Sequence, residues 1–375
     1  MTDKQLKNIV LKIMSPLSKL IAVKSNRVVL KSAEGNRYEC NPKYITEYLV
    51  KTYPGKFEII WRFNNPEKYK FLEDRGIKVC KKNSIKDWYY MFSAKFLIDN
   101  HNIMENFPKK KNQVIINTWH GGGSYKCLRG EANDESVTEF IHNDKFISSC
   151  ARQTKKRIMG RFNLPYEQVL ECGTPRNDIL FTDFSETAKK VKEQLNIPEN
   201  KKVILYVPTY RDYHTNDSIV LDVKRLISAC EKRFGGDYVF LSRAHHFSND
   251  IYKAADDDSA IVNVNDFDDM QELICACDIF ITDYSSVMWD ISFTDKPCFI
   301  YAYDLKDYLV EWKFFTPIEE WPYPVSQTID ELESDILNFD NEDYRSKVEK
   351  HHNELGSFET GNACKSVAEY MLSKM

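Results

Sequence analysis

The chain has 375 residues, 42% of them hydrophobic and 29% charged, with only 13 glycines and 13 prolines. That length holds two domains of ordinary size, and the composition excludes collagen-like, low-complexity and disordered chains. The 52 Lys and Arg against 56 Asp and Glu leave a net charge of −4, which excludes a global basic field for nucleic acid, so a polyanion must be met by a local site.

Residues 1–24 read as a basic amphipathic segment. Leu6, Ile9, Val10, Ile13, Met14, Leu17, Leu20 and Ile21 recur at helical spacing, interrupted at Pro16, and no acidic residue lies between Lys4 and Ala33. Such a helix can dock on the protein's own core or lie on an anionic membrane surface. No apolar run reaches membrane-spanning length, and the chain start lacks a signal-peptide pattern. The expected location is therefore cytoplasmic, with peripheral contact at the inner face of the membrane as the alternative. The ten cysteines are scattered, only Cys275 and Cys277 being close, and are expected to be reduced core thiols.

Short β-rich runs then alternate with helical patterns. Strands are expected at 57–61, 77–80, 95–98, 114–117, 146–149 and 169–172, and a second set at 203–207, 238–242, 261–264, 279–282 and 298–301. Helical stretches at 185–195, 219–234, 270–277, 344–353 and 362–371 complete the alternation. The pattern predicts an α/β protein with two doubly wound parallel sheets. The expected division is an N-terminal domain over 25–190, a second domain over 191–345, and a C-terminal helical segment, 346–375, returning to the first.

In such sheets ligands bind beyond the carboxyl ends of the strands, and five strand ends carry chemistry. Asn117-Thr118-Trp119-His120-Gly121-Gly122-Gly123-Ser124 sets a histidine suited to proton transfer before glycines whose amides can form an anion nest. Gly173-Thr174-Pro175-Arg176-Asn177-Asp178 offers an arginine for phosphate. Val207-Pro208-Thr209-Tyr210-Arg211-Asp212 and Ser242-Arg243-Ala244-His245-His246 follow two strands of the second set. Thr282-Asp283-Tyr284-Ser285-Ser286 runs into a helix, where serines serve equally as caps or, with the free amides, as a phosphate site; Asp290 lies one turn on and could accept from a polyol. Asp256-Asp257-Asp258 and Asp266-Phe267-Asp268-Asp269 read as a solvated segment and a helix start, not as metal ligands.

In this order the blocks, with Asn41-Pro42-Lys43-Tyr44 near the start, resemble the CDP-glycerol glycerophosphotransferase family of teichoic-acid and capsule enzymes over residues 25–345. The resemblance implies a GT-B-like fold, two Rossmann-like domains facing across a cleft, and transfer of a polyol phosphate from CDP-glycerol or CDP-ribitol to a lipid-linked or oligosaccharide acceptor, releasing CMP. It implies His120 as catalytic base and His245 as a second catalytic residue. Gly121, Gly122, Gly123, Ser124, Arg176, Thr209, Arg243, Ser285, Ser286 and Asp290 would bind substrate, with no cofactor or metal required. Many family members carry Thr-Pro-Leu-Lys after the His-Gly; this chain has Gly122-Gly123-Ser124-Tyr125-Lys126 in a loop expected near the acceptor or reacting phosphate. The alternatives are a GT-B nucleotide-sugar glycosyltransferase and a non-catalytic scaffold of an envelope-polymer assembly.

Overall fold

The computed structural model describes residues 16, 18–101, 107–127, 142–209, 221–243 and 261–375. They fall into two compact units: of the described residues, the first holds those up to 120, 142–178 and 358–375, and the second holds 121–127 and those from 179 to 357.

In the first unit, β1 (Lys24–Lys31), β2 (Glu58–Phe63), β3 (Lys78–Lys81), β4 (Ala94–Asp99), β5 (Val114–Asn117), β6 (Lys145–Ser148) and β7 (Val169–Glu171) form one parallel sheet. Their order is β3-β2-β1-β4-β5-β6-β7, so the winding reverses between β1 and β4. Both faces are covered, which is why the strands are continuous apolar runs. Val28, Leu30, Ile59, Trp61, Phe96 and Ile98 enter one core, and their neighbours Val29, Ile60, Leu97 and Ile115 enter the other. The first core is closed by Ile45 and Leu49 of α1 (Cys40–Thr52) and by Val367 and Met371 of the C-terminal helix Ala363–Leu372. The second is closed by Trp88, Met91 and Phe92 of α2 (Ile85–Ser93).

β1 was not expected. Its sequence, Lys-Ser-Asn-Arg-Val-Val-Leu-Lys, carries a cation in mid-strand, and the arginine is accommodated because Glu58 on the adjacent β2 accepts from Arg27 Nε at 2.8 Å. Residues 1–15, which hold most of the expected amphipathic helix, lie outside the described residues.

The second unit begins its regular structure at α3 (Ser185–Gln194). Its sheet comprises β8 (Lys202–Val207), β9 (Tyr238–Ser242), β10 (Ile261–Asn263), β11 (Ile279–Thr282), β12 (Cys298–Tyr301) and β13 (Val325–Ser326), in the order β10-β9-β8-β11-β12-β13 and parallel throughout. The helices are α4 (Val223–Phe234), α5 (Met270–Ala276), α6 (Val287–Ile291), α7 (Leu305–Glu311), α8 (Ile329–Leu337) and α9 (Asn341–Leu355). Asp269 caps α5 by accepting from Gln271 N, so that acidic residue serves a helix start.

The chain passes between units after residue 178, twelve residues before the expected 190, because α3 packs against α5 of the second unit. The C-terminal segment also divides later than the expected 346. α9 belongs to the second unit, and only residues from 358 join the first. Asp178 anchors that return: its carboxylate accepts from the amides of Ala363 and Cys364 at 2.9 and 2.8 Å, capping the C-terminal helix. Asp178→Ala should lower stability by about 1 kcal/mol, read as a lower urea midpoint at unchanged m-value.

Candidate active site

In the first unit, β5 ends in Asn117, and the next three residues are held almost entirely through their backbone. Asn117 Oδ1 accepts from Trp119 N at 2.8 Å. Asn41, in the first turn of α1, donates from Nδ2 to the carbonyls of Thr118 and Trp119 at 3.0 and 2.9 Å, and its Oδ1 accepts from Arg176 N at 3.0 Å. Arg176 Nη1 donates to the His120 carbonyl at 2.8 Å. These bonds hold Trp119 at φ +52°, a left-handed conformation that a bulky residue adopts only when its surroundings impose it. The Trp119 indole is packed by Phe146 and Phe162, with the Arg157 guanidinium 5.6 Å from its ring.

His120 follows. Its Nδ1 lies 2.9 Å from the Asn100 carbonyl, which can only accept, so Nδ1 carries the proton and Nε2 presents its lone pair. The ring stacks on His101, centroids 4.4 Å apart and planes 15° apart, and on Trp119 at 4.5 Å. Burial, then the charges of His101, Arg176 and Arg157, push the imidazole down to about 3. His120 is therefore neutral, the form a base needs, throughout the physiological range. Where the winding of this sheet reverses, Lys31 at the end of β1 pairs with Asp99 at the end of β4 at 2.9 Å, and Asn100 and His101 follow directly.

The second unit repeats the arrangement with different chemistry. Thr209, after β8, donates from its amide and hydroxyl to the buried Asp283 carboxylate after β11, the hydroxyl at 2.6 Å. Asp283 also accepts from Tyr284 N. Thr209 thus joins two strand ends across the reversal point of its sheet. Arg243, after β9, is buried and donates from Nη2 to the Asp268 carbonyl at 3.1 Å. Ser285 Oγ lies 3.4 Å from Val287 N, and Ser286 stands at the start of α6 without a side-chain capping bond. Both serines are partly exposed, whereas Asp290 is fully buried and has no surface to offer a polyol in this structure. At five residues α6 supplies little dipole.

The glycine run departs from the expected anion nest. Residues from Gly121 onward belong to the second unit, where Gly122 and Gly123 press on Trp289 of α6: a Cβ on Gly122 would stand 2.0 Å from the indole Cδ1, and one on Gly123 2.3 Å from the Tyr125 ring. Gly122 and Gly123, having no Cβ, let the backbone approach these rings. Ser124 is buried at φ +55°, and Tyr125 is held by His351 Nε2, 3.0 Å from its hydroxyl, while its carbonyl accepts from Phe315 N and Thr316 N.

The structure thus gathers His120 and Arg176 in the first unit, and Thr209, Arg243, Ser285, Ser286, Asp290 and Gly121 to Ser124 in the second. Arg211, Asp212, His245 and the 256–258 acidic run lie outside the described residues. Sequence reasoning assigned no role to Asn41, Asn100, His101, Asp283 or Trp289; the signal for all but Trp289 was a polar residue beside a block at a strand or helix end. Among the described residues no group of His, Cys, Asp and Glu is arranged to hold a metal, and no helix is long and apolar enough to cross a membrane. All ten cysteines are free thiols, nine of them buried.

The family model described as CDP-Glycerol:Poly(glycerophosphate) glycerophosphotransferase matches residues 13–373. The chain is 29% identical over 370 residues to a teichoic acid poly(glycerol phosphate) polymerase of Staphylococcus epidermidis, covering 92% of this chain and 50% of that protein. To the enzyme of the same name from Bacillus subtilis it is 27% identical over 343 residues, covering 87% of this chain and 45% of that protein. The chain therefore spans about half the length of these two curated relatives. A structure of a variant of the wall teichoic acid polymerase TagF soaked with CDPG superposes with a TM-score of 0.80 at 28% identity, covering 99% of this chain and 96% of that one. The two parallel-sheet units, with this likeness, make the fold GT-B-like.

Two outcomes follow from this geometry. Gly122→Ala, which drives a methyl into the indole, should cost about 1–3 kcal/mol, measured as a lower melting temperature. The second concerns pH. Unfolded His120 takes up a proton near its ordinary value of 6.5, whereas the folded residue resists to about 3, so the unfolded state binds more protons between these values. Its contribution to stability is full above 6.5 and lost as the pH falls toward 3. Urea midpoints measured down this window should fall less steeply in His120→Ala than in the parent protein.

Proposed function

The chain belongs to the CDP-glycerol:poly(glycerophosphate) glycerophosphotransferase family, and from that premise we propose that it transfers a polyol phosphate, glycerol phosphate foremost, from a CDP-polyol to an acceptor hydroxyl, releasing CMP. The observation that carries this reading is His120: a neutral imidazole, Nδ1 fixed by the Asn100 carbonyl and Nε2 left with its lone pair, at the carboxyl end of β5.

In the reaction, the acceptor hydroxyl gives its proton to His120 Nε2 as its oxygen bonds to the polyol-bearing phosphorus. The bond from that phosphorus to the bridging oxygen breaks, and its electron pair leaves with CMP. Asn41 and Arg176 hold the backbone that presents the base. In the second unit Arg243 and the hydroxyls of Ser285 and Ser286 carry the donor, with Thr209 and Asp283 fixing the strand ends beside them. The acceptor in this reading is lipid-linked or an oligosaccharide, in teichoic-acid or capsule synthesis, and the enzyme works on the cytoplasmic side of the membrane. CDP-ribitol is the alternative donor.

CMP release from CDP-glycerol in the presence of acceptor tests the reading, and release of UDP or GDP from a nucleotide sugar in its place overturns it. His120→Ala should lower turnover by roughly 100-fold or more while CDP-glycerol affinity stays within a few-fold. Arg243→Ala and the double change Ser285→Ala/Ser286→Ala should instead weaken CDP-glycerol binding about tenfold to a hundredfold by calorimetry. Because side-chain donors and backbone amides serve the diphosphate here, transfer should persist in excess EDTA. Loss of activity with rescue by magnesium would give the acidic runs a metal-binding role.

A further inference from the structure

His120 does not stand alone. Asn100 addresses two imidazoles at once: its backbone carbonyl takes the His120 Nδ1 hydrogen at 2.9 Å, and its side-chain Oδ1 lies 3.0 Å from His101 Nδ1. With the amide placed as it is in the structure, Nδ2 donating to Ser32 Oγ at 3.1 Å, Oδ1 faces His101, and His101 Nδ1 also carries its hydrogen. Two rings of the same tautomer therefore lie flat against each other, 15° from parallel, each held through Nδ1 and each with a lone pair on Nε2. The His101 backbone is fixed at both ends, its amide donating to Asp99 Oδ1 at 3.0 Å and its carbonyl accepting from Asn117 Nδ2 at 2.5 Å.

We propose that His101 is a positioning residue for the transfer: its imidazole, clamped flat on His120, fixes the plane in which the base meets the acceptor hydroxyl and lies against the imidazolium that forms. This rests on His120 being the base. Two adjacent rings cannot both hold a proton cheaply, so His101 must stay neutral while His120 is charged. The charged groups facing His101 fit that division. Asp99 and Glu34 favour its proton, Lys31 and Lys82 oppose it, and burial tips the balance to the neutral ring. Facing His120 are His101, Arg176 and Arg157. After transfer the two arginine charges favour loss of the proton from His120 to solvent or to the departing phosphate.

The test uses the full chain with isotopically labelled histidine. The titration of His120 is followed by NMR and CMP release is measured in parallel for the parent protein, His101→Ala and His101→Phe. In His101→Ala the His120 titration should move up toward 6.5 as water replaces the ring, and kcat should fall about tenfold with KM for CDP-glycerol within about twofold. His101→Phe restores a flat ring without a nitrogen and should recover most of the lost turnover. An unmoved His120 titration in His101→Ala overturns the proposal. So does a His101→Phe as slow as His101→Ala, which would make a ring nitrogen, and hence direct proton transfer, the function of His101. If the parent protein releases no CMP, the transferase reading fails, while the His120 titration still decides whether the two rings are coupled.

Discussion

The hydrogen bonds from Asn41 to the carbonyls of Thr118 and Trp119 are the constraint on which the placement of His120, the proposed base, depends. A strand that ends in an ordinary turn would let the chain relax, and the histidine would point wherever its rotamer allowed. Here Trp119 is kept in the left-handed region, and each carbonyl from Thr118 to His120 has a donor from Asn41 or Arg176. The donors are amide and guanidinium groups from α1 and from the segment after β7, so His120 is held by two parts of the first unit other than its own strand. A strained residue persists only when it is over-determined in this way.

The two units solve a common problem with different bonds. In a doubly wound sheet the connections that leave the two paired strands at the reversal point run to opposite faces, and that is where a ligand can enter. The first unit bridges its reversal point with the Lys31–Asp99 ion pair and the second with the Thr209–Asp283 hydrogen bonds. In both, the bridging carboxylate belongs to a strand end and also accepts from a backbone amide just beyond it, His101 N in one case and Tyr284 N in the other. The carboxylates thereby organise the residues that follow them, which in one unit are Asn100 and His101 and in the other the serine pair.

The parts of this architecture that were legible from sequence are those set by local pattern. Val114–Asn117, Tyr238–Ser242, Ile279–Thr282 and Cys298–Tyr301 are apolar runs with clear polar limits, and the strands have those bounds. β1 escaped because Arg27 in mid-strand reads as solvent-facing until Glu58, 31 residues on, is placed beside it. The glycine run misled for a related reason: glycine marks a close approach, but only the tertiary fold shows that Trp289 makes it. Asp290 is one helical turn beyond Ser286, as the spacing required, yet packing turned it inward. At Arg176 the sequence suggests a phosphate partner, whereas the structure adds a bond from its Nη1 to the His120 carbonyl, a contact that no spacing shows.

Asn41, through its bonds to the two carbonyls before His120, sets the place of the proposed base. Asn41→Asp keeps the size of the side chain but replaces the amide donor with a carboxylate facing two carbonyls. Its kcat for CMP release from CDP-glycerol, measured together with the calorimetric affinity for that donor, is the most direct test. The account predicts a fall in kcat of about tenfold or more with donor affinity within a few-fold of the parent protein. Unchanged kcat in a folded Asn41→Asp protein would contradict it, since the base would then hold its place without the bonds said to fix it.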